Sequence, residues 1–145
     1  NSFKFRVHKL KLLNTDNYIF TCLNMNPKNS GKYYEYKTLQ ILENKGFKAL
    51  RIPTSATGKQ ALPDIIAVKN NTIYAIEVKS TSQDYVYVDN FQINKLFKFC
   101  EFFNFCNCKE AVIVHYKKYK IVKMYTLTQD VREKSKVKFT YGTNS

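Results

Sequence analysis

Acid is scarce in this chain: 11 Asp and Glu stand against 24 Lys and Arg, a formal net charge of +13 over 145 residues. Such an excess points to an anionic partner, nucleic acid ahead of an anionic membrane surface. A solvated, lysine-rich surface is the plain alternative, and charge says nothing about fold. Long apolar runs are missing too: no stretch approaches the roughly 20 residues a membrane helix needs. No segment combines a charged start, an apolar core and a small-residue cleavage site, so no secretory signal is read and a cytoplasmic setting is expected. Glycine (4) and proline (3) are few, and neither an internal repeat nor a low-complexity linker is present. The length then suits one domain with a substantial core. We place that domain at residues 25–145, behind an N-terminal extension of residues 1–24 that contains a small hairpin.

The paired C-x-x-C spacing of zinc ribbons and fingers is absent. Cys100, Cys106 and Cys108 crowd together with His115 downstream, and Cys22 stands apart. Cys100 and Cys106 lie in a Phe-rich apolar stretch, where a free cysteine behaves as a small hydrophobe. Neither zinc nor a disulfide is expected.

What the chain does contain is a pair of β-rich runs, Pro63-Asp64-Ile65-Ile66-Ala67-Val68 and Ile73-Tyr74-Ala75-Ile76-Glu77-Val78-Lys79. Asn70-Asn71 between them suits the left-handed conformation of a tight hairpin turn. With those two residues as the loop, Lys69 faces Thr72, Val68 meets Ile73, Ala67 meets Tyr74, Ile66 meets Ala75 and Ile65 meets Ile76. Asp64 then falls opposite Glu77, on the same face of the sheet. Lys79, two residues on, shares that face. Charges inside apolar strands are costly without compensation. Two carboxylates and a lysine suit a divalent cation and metal-assisted phosphodiester cleavage.

Around the hairpin, Asn29-Ser30-Gly31 leads into a helical pattern over 32–44 that ends at Lys45-Gly46. Glu35, Leu39 and Leu42 share one face, so Glu35 either sits at the rim or reaches a metal at the sheet edge. Phe47 to Ile52 reads as the first core strand, and residues 53–60 as a loop. Tyr85 to Val88 is a short strand, and Asp89 or Asn90 can cap the next helix. Ile93, Leu96, Phe97, Cys100 and Phe103 give that helix a 3.6-residue stripe. Ala111 to His115, Lys120 to Leu127 and Val137 to Tyr141 are β-prone. In the extension, Phe3 to His8 alternates apolar and basic residues, and Tyr18 to Cys22 is a further β-prone run; His8 reads as an exposed strand residue.

The ordered set Glu35, Lys45-Gly46-Phe47, Arg51, Ser55, Leu62-Pro63-Asp64-Ile65-Ile66-Ala67, Ile76-Glu77-Val78-Lys79-Ser80 and Gln92 resembles a known family. It is similar to the Holliday junction resolvases of archaea and their viruses, within the PD-(D/E)xK nuclease superfamily. The resemblance implies an α/β fold, a central mixed β-sheet flanked by helices with a restriction-endonuclease-like core, working as a homodimer. It implies Glu35, Asp64 and Glu77 as metal ligands, with the Val78 carbonyl as a further one. Lys79 would orient the nucleophile or stabilise phosphate charge, and Gln92 would hold the nucleophile or the lysine. Arg51 and Ser55 would contact the scissile strand, and Lys32 and Lys59 join them as candidate DNA contacts. The implied cofactor is Mg2+, with Mn2+ as a substitute. The implied partners are a four-way DNA junction and, in the archaeal or virus-infected cell, replication or recombination proteins. One departure is Tyr36, where family members often carry Arg after the helix glutamate.

Each residue also has an ordinary explanation: Asp64 as a turn cap, Glu77 and Lys79 as a rim ion pair, Gln92, Arg51 and Ser55 as surface or loop residues. A duplex-DNA restriction or repair nuclease of the same superfamily would share the site. A non-catalytic DNA-binding module would be expected to have lost one of these residues, and none is missing. A membrane-surface protein would want a helix with a basic face, whereas 90–103 carries only Lys95 and Lys98.

Overall fold

The computed structural model of the chain describes residues 11–13, 17–21, 31–53 and 62–142. A seven-stranded mixed sheet runs through it in the order β1-β2-β8-β7-β5-β4-β3. Its strands are β1 (Lys11–Leu13), β2 (Asn17–Thr21), β3 (Lys48–Arg51), β4 (Ile65–Lys69), β5 (Thr72–Thr81), β7 (Asn107–Tyr116) and β8 (Ile121–Thr126). All neighbours are antiparallel except β5 and β7, which run parallel. The crossover between those two carries β6 (Tyr85–Asp89) and helix α2 (Asn90–Glu101), while β9 (Lys136–Thr140) pairs with β6 in a separate ribbon. Helix α1 (Gly31–Asn44) precedes β3. The central mixed sheet flanked by helices is the expected architecture.

Alternation along the strands builds two cores on opposite sheet faces. On one face Ile65, Ala67, Ile76, Ala111 and Ile113 pack with Ile41 and Leu42 of α1. On the other, Ala75, Val112 and Val114 pack with Ile93, Leu96 and Phe97 of α2 and with Val88, Val137 and Phe139 of the ribbon. Phe99, outside the predicted stripe of α2, is buried in that second core, leaving Phe102 and Phe105 exposed.

Helix α1 ends as the glycine predicts: Gly46 takes φ +84°, and the Phe47 N–H bonds the Leu42 carbonyl at 3.0 Å. The start of α2 has Asp89, one of the two expected caps, at its N-cap, without a side-chain cap bond. The Asn90 amide instead reaches across to the carbonyls of Arg132 (2.7 Å) and Lys134 (2.8 Å), tying the helix to the segment before β9.

The cysteines also differ from expectation. Cys100 and Cys108 form a disulfide, joining the last turn of α2 to the start of β7, and Cys106 is free and exposed. Their Cα atoms lie 5.4 Å apart only because the chain turns back between them, a proximity that spacing alone does not reveal. Cys22 and His8 lie outside the described residues.

His115 is a structural pin on the α1 face. The Thr38 hydroxyl donates its proton to the Tyr34 carbonyl at 2.8 Å. The His115 Nε2, 2.7 Å from that hydroxyl oxygen, is therefore the N–H donor. Nδ1 is buried with no hydrogen-bond partner, so a proton there would have nowhere to donate. Burial holds His115 near pH 3 instead of the usual 6.5. The unfolded chain thus takes up a proton that the fold refuses, and stability present above pH 6.5 is lost as pH falls below it. His115→Gln cannot titrate, so its stability should fall less steeply from pH 6.5 downward. The slopes should differ by one proton, about 1.4 kcal/mol per pH unit. Urea unfolding at a series of pH values checks this; equal slopes would mean that folded His115 titrates freely.

Candidate active site

The β4–β5 hairpin has the predicted register, Lys69↔Thr72 through Ile65↔Ile76. Asn70 and Asn71 both take positive φ, 51° and 59°, the left-handed pair that a two-residue hairpin loop needs. Asp64 sits one residue beyond the ladder, its N–H on the Ile76 carbonyl (3.0 Å) and its own carbonyl accepting from the Ile52 N–H (2.8 Å). Its carboxylate Oδ2 accepts the Val78 N–H at 2.8 Å. Both acids are buried, Glu77 to 3% exposure.

Glu77 gathers the site. Its Oε1 accepts from the Gln92 amide at 3.1 Å and lies 3.4 Å from Lys79 Nζ. Its Oε2 lies 2.5 Å from Lys95 Nζ in an ion pair that lacks hydrogen-bond angles. The same ammonium is 4.0 Å from Asp64 Oδ1. Burial is the main force raising the Glu77 carboxyl above its usual range, with the Asp64 charge adding to it and Lys95 and Lys79 opposing. Lys95 and Lys79 thus offset both the burial and the repulsion from Asp64.

The expected residues divide between the two faces. Asp64, Glu77, Lys79 and Gln92 come together on the α2 side. Glu35 does not join them; it pairs with Arg51 Nε at 2.6 Å. Arg51 lies opposite Ile65, whose side chain belongs to the α1 core, so the ion pair is on that face. The Arg51 guanidinium also stands over the Tyr36 ring at 5.0 Å, so the residue that departs from the family pattern supports the arginine. Among the described residues no three of His, Cys, Asp and Glu come together as a metal set. Lys32 is exposed at the start of α1. Ser55 and Lys59 lie outside the described residues.

Lys95 is the residue at this site that the sequence did not mark. It follows Gln92 by three positions, one helical turn on the same face of α2. That spacing was visible, but nothing marked Lys95 among 24 basic residues until α2 was docked on β5.

The donor set fits a divalent cation. Asp64 Oδ1 and Glu77 Oε2 are the two carboxylate oxygens without hydrogen bonds in the contacts above, and both face the part-buried Lys95 ammonium. Magnesium takes oxygen ligands, keeps several waters, and is commonly held by one or two carboxylates plus substrate phosphates. The pair can therefore hold such an ion without a third protein carboxylate.

A mixed sheet brings buried acids, lysines and an amide to one point in a strongly basic chain. The family model for the archaeal Holliday junction resolvase (Hjc) matches residues 26–143. A crossover junction endodeoxyribonuclease of Sulfolobus islandicus rod-shaped virus 1 is 74% identical over 121 residues, 83% of this chain and 100% of that protein. The crossover junction endodeoxyribonuclease Hje of Saccharolobus solfataricus is 45% identical over 73 residues, 50% of this chain and 54% of the relative. The solved structure of Hjc from Archaeoglobus fulgidus, a Holliday junction resolvase, matches with TM-score 0.62 at 22% identity, covering 76% of this chain and 88% of that one. At that identity the likeness speaks for the fold. The chain belongs to the archaeal Holliday junction resolvase family, as the order of its motifs implied.

Proposed function

We propose that this chain is a divalent-metal-dependent endonuclease that resolves four-way DNA junctions by paired phosphodiester cleavage. The observation that carries the reading is the convergence of Asp64 and Glu77 on one buried point, with Lys79 and Gln92 on the same glutamate. Mg2+ is the proposed ion, with Mn2+ able to substitute. Held there, it would lower the pKa of a water and neutralise charge on the phosphate.

The chain's own groups have distinct tasks. Gln92 fixes the rotamer of Glu77 through Oε1. Lys79, at the more open side of the same carboxylate, is the donor for the nucleophile or for a phosphate oxygen. Arg51, on the α1 face, helps position the DNA strand, and Glu35 stays outside the proposed ligand pair while Arg51 holds it. Lys32, Ser55 and Lys59 complete the proposed DNA contacts. Binding of this kind depends on salt and is largely blind to sequence. Junction selectivity then follows from a two-fold homodimer whose two sites face two strands.

The test is a panel of labelled substrates, namely a four-way junction, a flap and plain duplex, with Mg2+. The junction should be cut in preference, with paired nicks. Asp64→Asn and Glu77→Gln should each lower the single-turnover rate at least roughly a hundredfold while retaining junction binding. Equal cutting of plain duplex would favour the restriction or repair reading. Retained cleavage in either variant at saturating Mg2+ would remove the carboxylate pair from the reaction.

We also infer that residues 25–145 are the catalytic unit. The backbone of β2 pairs along β8, so removing residues 1–24 uncovers a sheet edge far in sequence from the site residues. Met25–Ser145 should cleave junctions at the rate of the full chain and unfold at a lower temperature. Loss of cleavage by a folded truncation would show that the N-terminal strands belong to the working unit.

A further inference from the structure

Two carboxylates buried at one point need opposing charge to stay ionised, whether or not a metal is bound. Lys95 supplies it in a specific place. Three of the five carboxylate contacts leave the bridging position alone: Val78 N–H takes Asp64 Oδ2, and Gln92 and Lys79 take Glu77 Oε1. The remaining oxygens, Asp64 Oδ1 and Glu77 Oε2, are those that face Lys95 Nζ, at 4.0 and 2.5 Å. Its side chain is only 14% exposed. A divalent ion using both acids would want the same two oxygens.

We propose that Lys95 is the resident counter-cation of the Asp64 and Glu77 pair, standing where a divalent metal would bind, so that metal and DNA load the site together. The inference rests on the metal-site reading given above. Charge arithmetic supplies the coupling. Two carboxylates with Lys79 and Lys95 sum to zero, so a divalent ion added to that set leaves two uncompensated positive charges in a buried site. A phosphodiester brings negative charge and gives the released ammonium a partner. Metal should therefore bind weakly to the free protein and more tightly once a junction is present, and by linkage the converse holds.

The mobile part is the lysine stem and not the helix. The head of α2 is fixed by the Asn90 N–H and amide to Ser135, Arg132 and Lys134, and by Arg132 Nε on Asn94 at 3.0 Å. A four-carbon side chain one turn into a fixed helix can leave one acceptor for another without moving the fold. Lys79 is the weaker candidate for this role, because it touches only the oxygen that Gln92 shares.

Calorimetric titration of Mn2+ into the full chain, with and without a four-way junction, tests this. Lys95→Gln should bind Mn2+ in the absence of DNA roughly tenfold more tightly than the unmodified protein, within the usual range of site-to-site coupling. Lys95→Arg, which keeps the charge, should bind as weakly as the parent. The junction should tighten Mn2+ binding in the parent and do so less in Lys95→Gln. Without metal, Lys95→Gln should melt below the parent, and Mn2+ should raise its melting temperature by more. Lys95→Met, which keeps the packing of the stem, serves for the same comparison where the Gln variant does not fold. Lys95→Gln or Lys95→Met binding Mn2+ no more tightly than the parent would overturn the proposal. Glu77→Gln binding Mn2+ as the parent does would instead take the metal off this pair, and the site reading would fail with it.

Discussion

The register of one hairpin governs the whole site. Side chains alternate faces with a period of two, so a slip of one residue between β4 and β5 would move its acid to the other side of the sheet. Asn70 and Asn71 hold the register by accepting left-handed backbone at consecutive positions. From that turn the count runs back through five pairs, and Asp64 and Glu77 emerge on the α2 side. Once both acids are buried there, the surroundings are constrained: an N–H from Val78, an amide from Gln92 and two ammonium groups offset them.

The two helices act from opposite faces. Helix α2 delivers Gln92 and Lys95 to the carboxylates, and its start is anchored by Asn90. Helix α1 carries Glu35 to Arg51, and is pinned to the sheet by Thr38 and the buried His115. A chain of hydrogen bonds from the Tyr34 carbonyl through Thr38 to His115 thus fixes the turn that bears Glu35.

Much of this was legible because local rules agreed with one another. The hairpin turn, the glycine after α1 and the apolar stripe of α2 each have a local cause, and the structure follows all three. What was not legible depended on tertiary placement. Lys95 looks like any surface lysine until α2 lies on β5. Glu35 was expected beside the other acids, but Arg51 points to the α1 face and takes it first. The Cys100 and Cys108 disulfide depends on the path of the chain between α2 and β7, and Phe99 is buried because the ribbon of β6 and β9 extends the core beyond the helical stripe. The N-cap position of α2 was legible at Asp89, but the anchoring of its start was not: Asn90 finds its partners about forty residues away in sequence.

Asp64 and Glu77 are proposed together to hold the ion used in junction cleavage. Crystals of the full chain soaked in Mn2+, with an anomalous difference map at the manganese edge, test this most directly. The manganese peak should lie at Asp64 and Glu77, with the Lys95 ammonium moved off the glutamate. A peak elsewhere, or full manganese occupancy with Lys95 still paired to Glu77, would contradict it.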